Sequence, residues 1–236
     1  MPWIKICGNT NLEDALAGAS AGADALGFIF APSPRRIEPE AARKVVAGLP
    51  PEVEKIGVFV NESPGRIREI AEQAGLTGIQ LSGEGDRAIV PELAEWRKSA
   101  PGRRVILMVP ASGEEWEEAS GHPTTRERLQ IDALLLDSII GQVRGGTGET
   151  FDWTRWQHKV KVFGRSFPII VAGGLTAENV ATAISILSPW GVDVVSGTEK
   201  TPGKKDHDKL RAFIKAAREA RAKEKEKAAR TAKGKK

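Results

Sequence analysis

Two residues that can carry protons stand at the ends of short apolar segments. Cys7 closes the segment WIKIC, and Asp137 closes a run of three leucines. Cys7 is either a small buried hydrophobe or a reactive thiol, and Lys5, on the same face of the strand, would favour a thiolate if it lay close enough. Asp137 is poorly explained by packing and could instead cap the segment that follows. Partial burial would raise the pKa of Asp137 and keep it protonated as a proton donor.

Two turns rich in small residues follow the last two apolar segments of this kind. Gly173-Gly174 lies in AGGLT, and Ser196-Gly197 lies in VSGT. Small residues let backbone N–H groups approach an anion, although glycines can also simply make tight turns. Two such turns in these two places favour a phosphate site. A nucleotide-binding P-loop is excluded, because no Gly-Lys-Ser/Thr follows any glycine run.

Two arginines and a long glycine-containing loop complete the candidate site. Arg35 and Arg36 follow the second apolar segment after Ala-Pro-Ser-Pro. The planar guanidinium suits a substrate carboxylate, and we expect one of the two arginines to be a solvated surface residue. The loop that contains residues 145–148 (GGTG) is predicted to act as a lid that excludes water.

The elements that must position these residues follow a repeated rhythm of apolar runs and amphipathic segments. Eight apolar runs are too uniformly apolar for half-exposed strands, which indicates a parallel sheet covered on both faces. Eight strand–helix units in about 215 residues predict a (β/α)₈ barrel, whose site lies at the carboxyl ends of the strands. A doubly wound open sheet is the alternative, but G-x-G-x-x-G is missing after the first strand. The predicted strands are Trp3–Cys7, Ala25–Phe30, Lys55–Val60, Gly78–Leu81, Val105–Val109, Ala133–Leu136, Pro168–Ala172 and Val192–Val195.

Several helix starts can be predicted from their capping chemistry. Asn11 is a candidate N-cap, and Pro39 and Pro64 stand at or near first helical positions. Thr176, in Thr-Ala-Glu-Asn, is predicted to begin a further helix by the same chemistry. Residues 110–131 and 138–150 contain glycines or prolines and give the weakest helix signals.

The net charge of +4 hides two different regions. Residues 215–236 carry ten Lys/Arg and three Glu, whereas the rest of the chain carries 25 positive and 28 negative charges. We therefore predict a mildly acidic barrel domain of residues 1–214 and a basic tail of residues 215–236 that extends the last helix and then frays. A short basic tail without aromatic residues predicts no specific nucleic-acid binding.

Composition excludes several classes of site and location. One cysteine and three dispersed histidines argue against disulfides and against the usual metal-ligand patterns, so no metal is expected. The chain shows neither a membrane-spanning apolar stretch nor a secretory signal pattern. We expect a protein of the reducing cytoplasm with no membrane partner, either a monomer or a homodimer.

Taken together, these residues resemble the phosphoribosylanthranilate isomerase family of tryptophan biosynthesis. The resemblance is spread in order over about residues 3–214, so that the joint occurrence of the motifs is far more specific than any one of them. The matching motifs are KICGNTNLEDA, GADALGFIF, SPRRI, GVFVN, GIQLSGE, LLLDS, GGTGETFDW, VAGGLTAENV, VDVVSG and PGKKDHDKL.

The resemblance implies a cofactor-free Amadori rearrangement on a (β/α)₈ barrel. N-(5-phosphoribosyl)anthranilate would become 1-(o-carboxyphenylamino)-1-deoxyribulose 5-phosphate. By this analogy Asp137 is the general acid, Cys7 is the general base, and Arg36 binds the anthranilate carboxylate. The residues that match the family's phosphate site are Gly173, Gly174, Ser196 and Gly197.

This chain departs from the family pattern at two positions. Ser82 stands where the family usually has a histidine, and Val195 stands where it often has a serine. Neither change touches the expected acid or base. Two related barrels, indole-glycerol-phosphate synthase and ribulose-phosphate epimerase, are disfavoured because the chain lacks the Lys/Glu set and the metal-binding histidines that they would be expected to use. A nucleic-acid-binding protein led by the basic tail is the alternative from another class.

Overall fold

The computed structural model describes residues 1–83, 85–111, 130–140, 143–144 and 150–233. The strands of the barrel, β1 to β8, are Trp3–Ile6, Ala25–Ile29, Glu54–Phe59, Gly78–Leu81, Arg104–Pro110, Ala133–Asp137, Ile169–Val171 and Gly191–Val194. The α-helices of the described residues, α1 to α7, are Leu12–Ser20, Pro39–Ala47, Pro64–Ala74, Ala94–Lys98, Trp153–Phe163, Val180–Leu187 and His207–Lys233. Short 3₁₀ helices cover Asp86–Leu93 and Ser196–Thr198, and two small hairpins pair Ile139–Ile140 with Val143–Arg144 and Glu199–Thr201 with Lys204–Lys205.

The eight strands close into a barrel in which each strand pairs in parallel with its neighbours, and β1 pairs with β8. All eight apolar runs predicted from the sequence are barrel strands, so the (β/α)₈ prediction is confirmed and the open-sheet alternative is wrong. Since parallel strands in a closed barrel all end on the same side, the predicted site residues at their carboxyl ends are brought to one opening.

Alternation along the strands divides the apolar residues into two layers. Side chains such as Ile4 and Ile6 of β1 face outward and pack with apolar residues of the surrounding helices. Side chains of the opposite parity fill the barrel interior, which is the reason why Lys5 and Cys7 point inward with Trp3. The apolar part of the interior consists of Trp3, Ala25, Ile56, Ile106, Ala133, Leu135, Ile170 and Ala172.

Most of the predicted helix starts are confirmed. Asn11 caps α1 by accepting a hydrogen bond from the N–H of Asp14 at 2.9 Å, and Pro39 and Pro64 occupy the first positions of α2 and α3. The helix expected to begin at Thr176 begins instead at Val180, so this prediction is wrong.

The later start of α6 has a local cause. The side chain of Asn179 accepts a hydrogen bond from the N–H of Thr176 at 2.8 Å and donates one to the carbonyl of Gly174 at 2.8 Å. These two bonds tie the Asn179 side chain to the backbone just after β7, so that residues 174–179 form a turn that precedes the helix. The turn consequently stays next to the carboxyl end of β7.

The last helix, α7, runs without interruption across the predicted domain boundary at residue 214. Ala217 is buried against the barrel, and the guanidinium of Arg218 donates hydrogen bonds to the carbonyl of Pro2 at 2.7 Å and to Asp24 at 2.8 Å. Contacts with the rest of the fold therefore continue at least to Ala220, which is partly buried against the core. None of the helices in the described ranges is long and apolar enough to cross a membrane.

Candidate active site

A buried ion pair lies inside the carboxyl end of the barrel. Lys5 of β1 and Asp193 of β8 stand opposite each other in register, and their Nζ and Oδ2 atoms are 2.9 Å apart. The Lys5 side chain is fully buried, and that of Asp193 is 5% exposed. Burial opposes the charge on Lys5, but attraction to Asp193 and to Cys7 outweighs it and raises the pKa of Lys5 above its usual value. Lys5 is therefore a cation at neutral pH.

The thiol of Cys7 is buried beside this pair. Its sulfur lies against Gly27 of β2, where an added Cβ would come within 2.5 Å of it, so that a glycine at this position makes room for the thiol. Burial raises the pKa of Cys7, while the Lys5 ammonium lowers it, Asp193 raises it and Lys205 lowers it. The net result is a raised pKa, so the thiol form predominates at neutral pH and the thiolate is a minor form stabilised by Lys5.

The position of Cys7 is fixed by the segment that follows it. Asn9 is fully buried and donates from Nδ2 to the carbonyls of Ile6 at 2.8 Å and Gly27 at 3.1 Å. These bonds attach the end of β1 to the end of β2. Gly8, which lies between Cys7 and Asn9, has a φ of +77°, a conformation that glycine adopts without strain.

Asp137 ends β6 on the same side of the barrel. Its Oδ1 atom is buried and has no hydrogen-bond partner among the described residues. Burial, and after it the charge of Asp193, raise the pKa of Asp137 to about 7 against the opposing effects of Lys5 and the N–H of Ser138. Near neutral pH a substantial fraction of this carboxyl group is therefore protonated, as a general acid requires. The structure thus places Cys7 and Asp137 at the same end of the barrel, where Lys5 and Asp193 act electrostatically on both.

The two glycine turns predicted to hold a phosphate also come together. A Cβ on Gly197 would collide with the carbonyl oxygen of Leu175, and one on Gly173 would collide with Ser138, so both positions have room only for glycine. Gly173 and Gly174 have φ values of +83° and +62°. A cavity of about 580 Å³ is lined by Gly174, Ser196 and Gly197 together with the start of α7.

The two arginines after β2 have different surroundings. Arg35 makes a bidentate contact with the buried carboxylate of Glu199, with Nε–Oε1 and Nη2–Oε2 distances of 2.8 Å. Arg36 has a half-exposed side chain whose Nη2 atom lies 3.1 Å from the exposed carboxylate of Glu38. Arg36 is thus the more accessible of the two to a small anion, and Arg35 is a structural residue rather than a solvated one.

Lys205 is a site residue that the sequence reasoning missed. Its buried ammonium donates to the carbonyl of Cys7 at 2.5 Å and to that of Val195 at 3.2 Å, and lies 3.6 Å from Glu199. Burial lowers the pKa of Lys205, which Glu199 partly opposes. Its place within the motif PGKKDHDKL was the only available signal, because nothing in the local sequence indicates that this lysine turns inward.

The remaining predicted features are placed as follows. Ser82, at the end of β4, is buried and accepts a hydrogen bond from Gln80 at 3.1 Å. The side chain of Val195 packs near Gly8. The loop of residues 145–148, predicted as a lid, lies outside the described residues. Within the described ranges, no group of three or more His, Cys, Asp or Glu side chains is placed to hold a metal ion.

Comparisons with known proteins show which family the chain is similar to. A family model for N-(5′-phosphoribosyl)anthranilate (PRA) isomerase matches residues 4–216. The curated N-(5′-phosphoribosyl)anthranilate isomerase of Pelobacter propionicus is 44% identical over 219 residues, which cover 92% of this chain and 96% of that protein. The solved phosphoribosylanthranilate isomerase structure from Thermotoga maritima is 42% identical, has a TM-score of 0.79, and is matched over 92% of this chain and 99% of its own.

A further similar structure is of a phosphoribosylanthranilate isomerase in complex with reduced 1-(o-carboxyphenylamino)-1-deoxyribulose 5-phosphate. It is 40% identical to this chain, has a TM-score of 0.76, and is matched over 92% of this chain and 99% of its own. The closed barrel, the matched length and these identities agree with the motifs recognised in the sequence. The chain belongs to the N-(5′-phosphoribosyl)anthranilate isomerase family.

Proposed function

We propose that this protein catalyses the Amadori rearrangement of N-(5′-phosphoribosyl)anthranilate to 1-(o-carboxyphenylamino)-1-deoxyribulose 5-phosphate in tryptophan biosynthesis. The observation that carries the proposal is the placing of a thiol, Cys7, and a carboxyl group with a pKa of about 7, Asp137, at the carboxyl end of one barrel. The identity of the substrate is inferred from family membership, since the relatives are named for it.

The reaction needs one acid and one base. Asp137 gives its proton to the ring oxygen of the ribose as the C1–O bond breaks, which leaves a Schiff base between C1 and the anthranilate nitrogen. Cys7, as the thiolate, then removes the proton from C2, and the electron pair moves to form an enolamine. Tautomerisation of the enolamine gives the ketone, with no net oxidation and no external electron acceptor.

Substrate anchoring is assigned to the two ends of the opening. The backbone N–H groups of the glycine turns would bind the phosphate, since Gly174, Ser196 and Gly197 line one cavity, and Gly173 lies in the same turn. Arg36 would bind the anthranilate carboxylate in place of the exposed carboxylate of Glu38, which it now contacts. No metal or cofactor has a role in this scheme.

The organisation around the site is also part of the proposal. The catalytic unit is the barrel of residues 1–214, and the basic residues 215–236 are peripheral to catalysis beyond the contacts that Ala217 and Arg218 make. The protein would act in the cytoplasm as a monomer or a homodimer, without a membrane or nucleic-acid partner.

The test is a coupled fluorescence assay in which phosphoribosylanthranilate is generated in situ and its disappearance is followed. The purified protein should consume it faster than its spontaneous decay. Asp137→Asn, purified in the same way, is the matched control because it replaces only one oxygen of the carboxyl group by an amide NH₂ group, which cannot donate a proton as an acid. No acceleration by the unmodified protein would refute the proposed reaction.

A further inference from the structure

The buried Lys5–Asp193 pair acts electrostatically on both of the groups that transfer protons, although neither of its members is needed to accept or donate one. Lys5 lies on the strand that carries Cys7, and Asp193 lies directly opposite in register on β8. Asp193 uses one carboxylate oxygen to bind Lys5, while its buried Oδ1 has no partner among the described residues. Burying two charges in a barrel interior is costly for stability, and apolar residues of similar size often replace such pairs without loss.

We propose, on the basis of the proposed isomerase function, that Lys5 and Asp193 are positioning residues that sort charge between the base and the acid. Lys5 presents its ammonium to the Cys7 sulfur and stabilises the thiolate. Asp193 holds Lys5 in that position and presents its negative charge to Asp137, where it disfavours a second carboxylate. The pair, whose two charges cancel, thereby favours both the deprotonated form of the base and the protonated form of the acid.

The balance of charges around each group supports this division. The charged side chains that act on Cys7 are Lys5 from its own strand, Asp193 from β8 and Lys205 from the hairpin after β8, and the effect of Lys5 exceeds that of Asp193. For Asp137 the order is reversed, because Asp193 acts more strongly than Lys5. The neighbour of Cys7 on β2 is Gly27, which brings no charge.

The sorting has a kinetic consequence. The active form has a deprotonated Cys7 and a protonated Asp137, yet the pKa of the thiol is raised above its usual value, whereas that of the carboxyl is about 7. The active form is therefore a minor one, and it becomes about tenfold rarer for each unit by which the two pKa values move further apart. Any interaction that brings the pKa values of Cys7 and Asp137 closer together therefore increases the fraction of the active form and with it the rate.

The composition of the chain makes the thiol directly observable. Cys7 is the single cysteine and the chain has no tyrosine, so the ultraviolet absorbance of the thiolate is not overlaid by tyrosinate. The carboxyl carbon of Asp137 can be followed by NMR in protein labelled at aspartate, and its signal is assigned by its loss in Asp137→Asn. Both readouts are independent of catalysis, so they answer the question even if the proposed reaction is not observed.

The decisive variant is the double substitution Lys5→Met/Asp193→Asn, which removes both charges together and leaves no unpaired buried ion. We expect the thiol midpoint to rise and the Asp137 midpoint to fall, by about one pH unit in total, and kcat/KM at its maximum to fall about tenfold. If either midpoint stays in place, or if both move in the same direction, the pair does not sort charge.

Two further measurements remove the dependence on this one variant. The matched control is Glu54→Gln/Arg104→Met, which neutralises the ion pair at the other end of the barrel, and it should leave both midpoints unchanged. In the unmodified protein, the NMR signal of the Lys5 ammonium nitrogen should shift at the thiol midpoint, and Cys7→Ser should abolish that step. Absence of the step in the unmodified protein would show that Lys5 does not sense the thiol, and would overturn the proposal without requiring the double variant to fold.

Discussion

The two ends of the barrel interior both contain charged side chains, but they are arranged differently. At the amino end, which we call the floor, Trp3 stacks on Trp190 with ring centroids 5.2 Å apart, and Glu54 pairs with Arg104 at 2.8 Å. At the carboxyl end, which we call the mouth, the groups are Lys5, Cys7, Asp137 and Asp193. Among the described residues, one oxygen of Asp137 and one of Asp193 are buried there without a hydrogen-bond partner.

This difference indicates that the floor contributes mainly to stability and the mouth mainly to catalysis. The floor combines aromatic packing with an ion pair whose side chains remain partly exposed, an arrangement that buries apolar area at little electrostatic cost. The mouth keeps carboxyl oxygens buried and unpaired, which costs folding free energy but leaves groups with shifted pKa values next to an opening. Substitutions at the floor should therefore change stability, and substitutions at the mouth should change activity.

The largest effect is expected at the base. Cys7→Ser replaces the thiol by a hydroxyl that is far harder to ionise, so kcat should fall about 10³-fold. The coupled fluorescence assay measures this, and thermal unfolding should show a fold of nearly unchanged stability. A variant with normal turnover would remove Cys7 from the mechanism.

The matching change at the floor is Trp3→Ala. Loss of a buried indole and of its stack on Trp190 should lower the free energy of unfolding by about 3 kcal/mol, measured by denaturant titration. The folded fraction should retain a kcat close to that of the unmodified protein. A large loss of kcat with unchanged stability would invert the comparison between floor and mouth.

A smaller effect is expected from the substrate anchor at the rim of the mouth. Arg36→Ala should raise KM about tenfold or more with little change in kcat, because a hydrogen bond to a charged group is worth ~1.5–3 kcal/mol. Arg35→Ala is the contrasting variant, since it leaves Glu199 without its bidentate partner and should lower stability. An unchanged KM in Arg36→Ala would remove this residue from the substrate site.

The smallest effect is expected at the tail. Deletion of residues 219–236 keeps Arg218 and its contacts with Pro2 and Asp24 but removes the small side chain of Ala220 from the core, so stability should change by no more than about 1 kcal/mol and kcat/KM should be preserved. The same assay and unfolding experiment apply. Loss of activity on truncation would show that the tail contributes to the site.

The sequence predicted most of the fold because its signals were local. Uniformly apolar runs such as ALLLD and capping residues such as Asn11 and Pro64 specify elements through contacts within a few residues. The exception is Thr176, where the side chain of Asn179 competes for the backbone and delays the helix. Capping chemistry alone does not reveal that a nearby side chain will bind the backbone of the turn that precedes the helix.

The candidate site was predictable only in part. Position at a strand end singled out Cys7 and Asp137, but not the long-range contacts that tune them. Asp193 was hidden within an apolar strand, and Lys205 comes from a hairpin 198 residues after the carbonyl that it binds. The contact with Glu199 distinguishes the role of Arg35 from that of Arg36, and this tertiary interaction has no signature in the local sequence.

The pH dependence of kcat/KM tests most directly the claim that the mouth is an acid–base site. Below pH 7 the thiolate fraction of Cys7 grows with pH while Asp137 stays protonated, so kcat/KM should rise until the pKa of about 7 is reached. Above it, further gain of thiolate is cancelled by loss of protonated Asp137, which gives a plateau. Above the raised pKa of Cys7, kcat/KM should fall again.

Asp137→Asn is the control for this profile, because its residual activity should lack the change of slope near pH 7. In the unmodified protein we expect kcat/KM to rise through about pH 7, reach a plateau and fall at alkaline pH. A profile that is flat through pH 7, or that keeps the same slope change in Asp137→Asn, would contradict the assignment of Asp137 and Cys7 as acid and base.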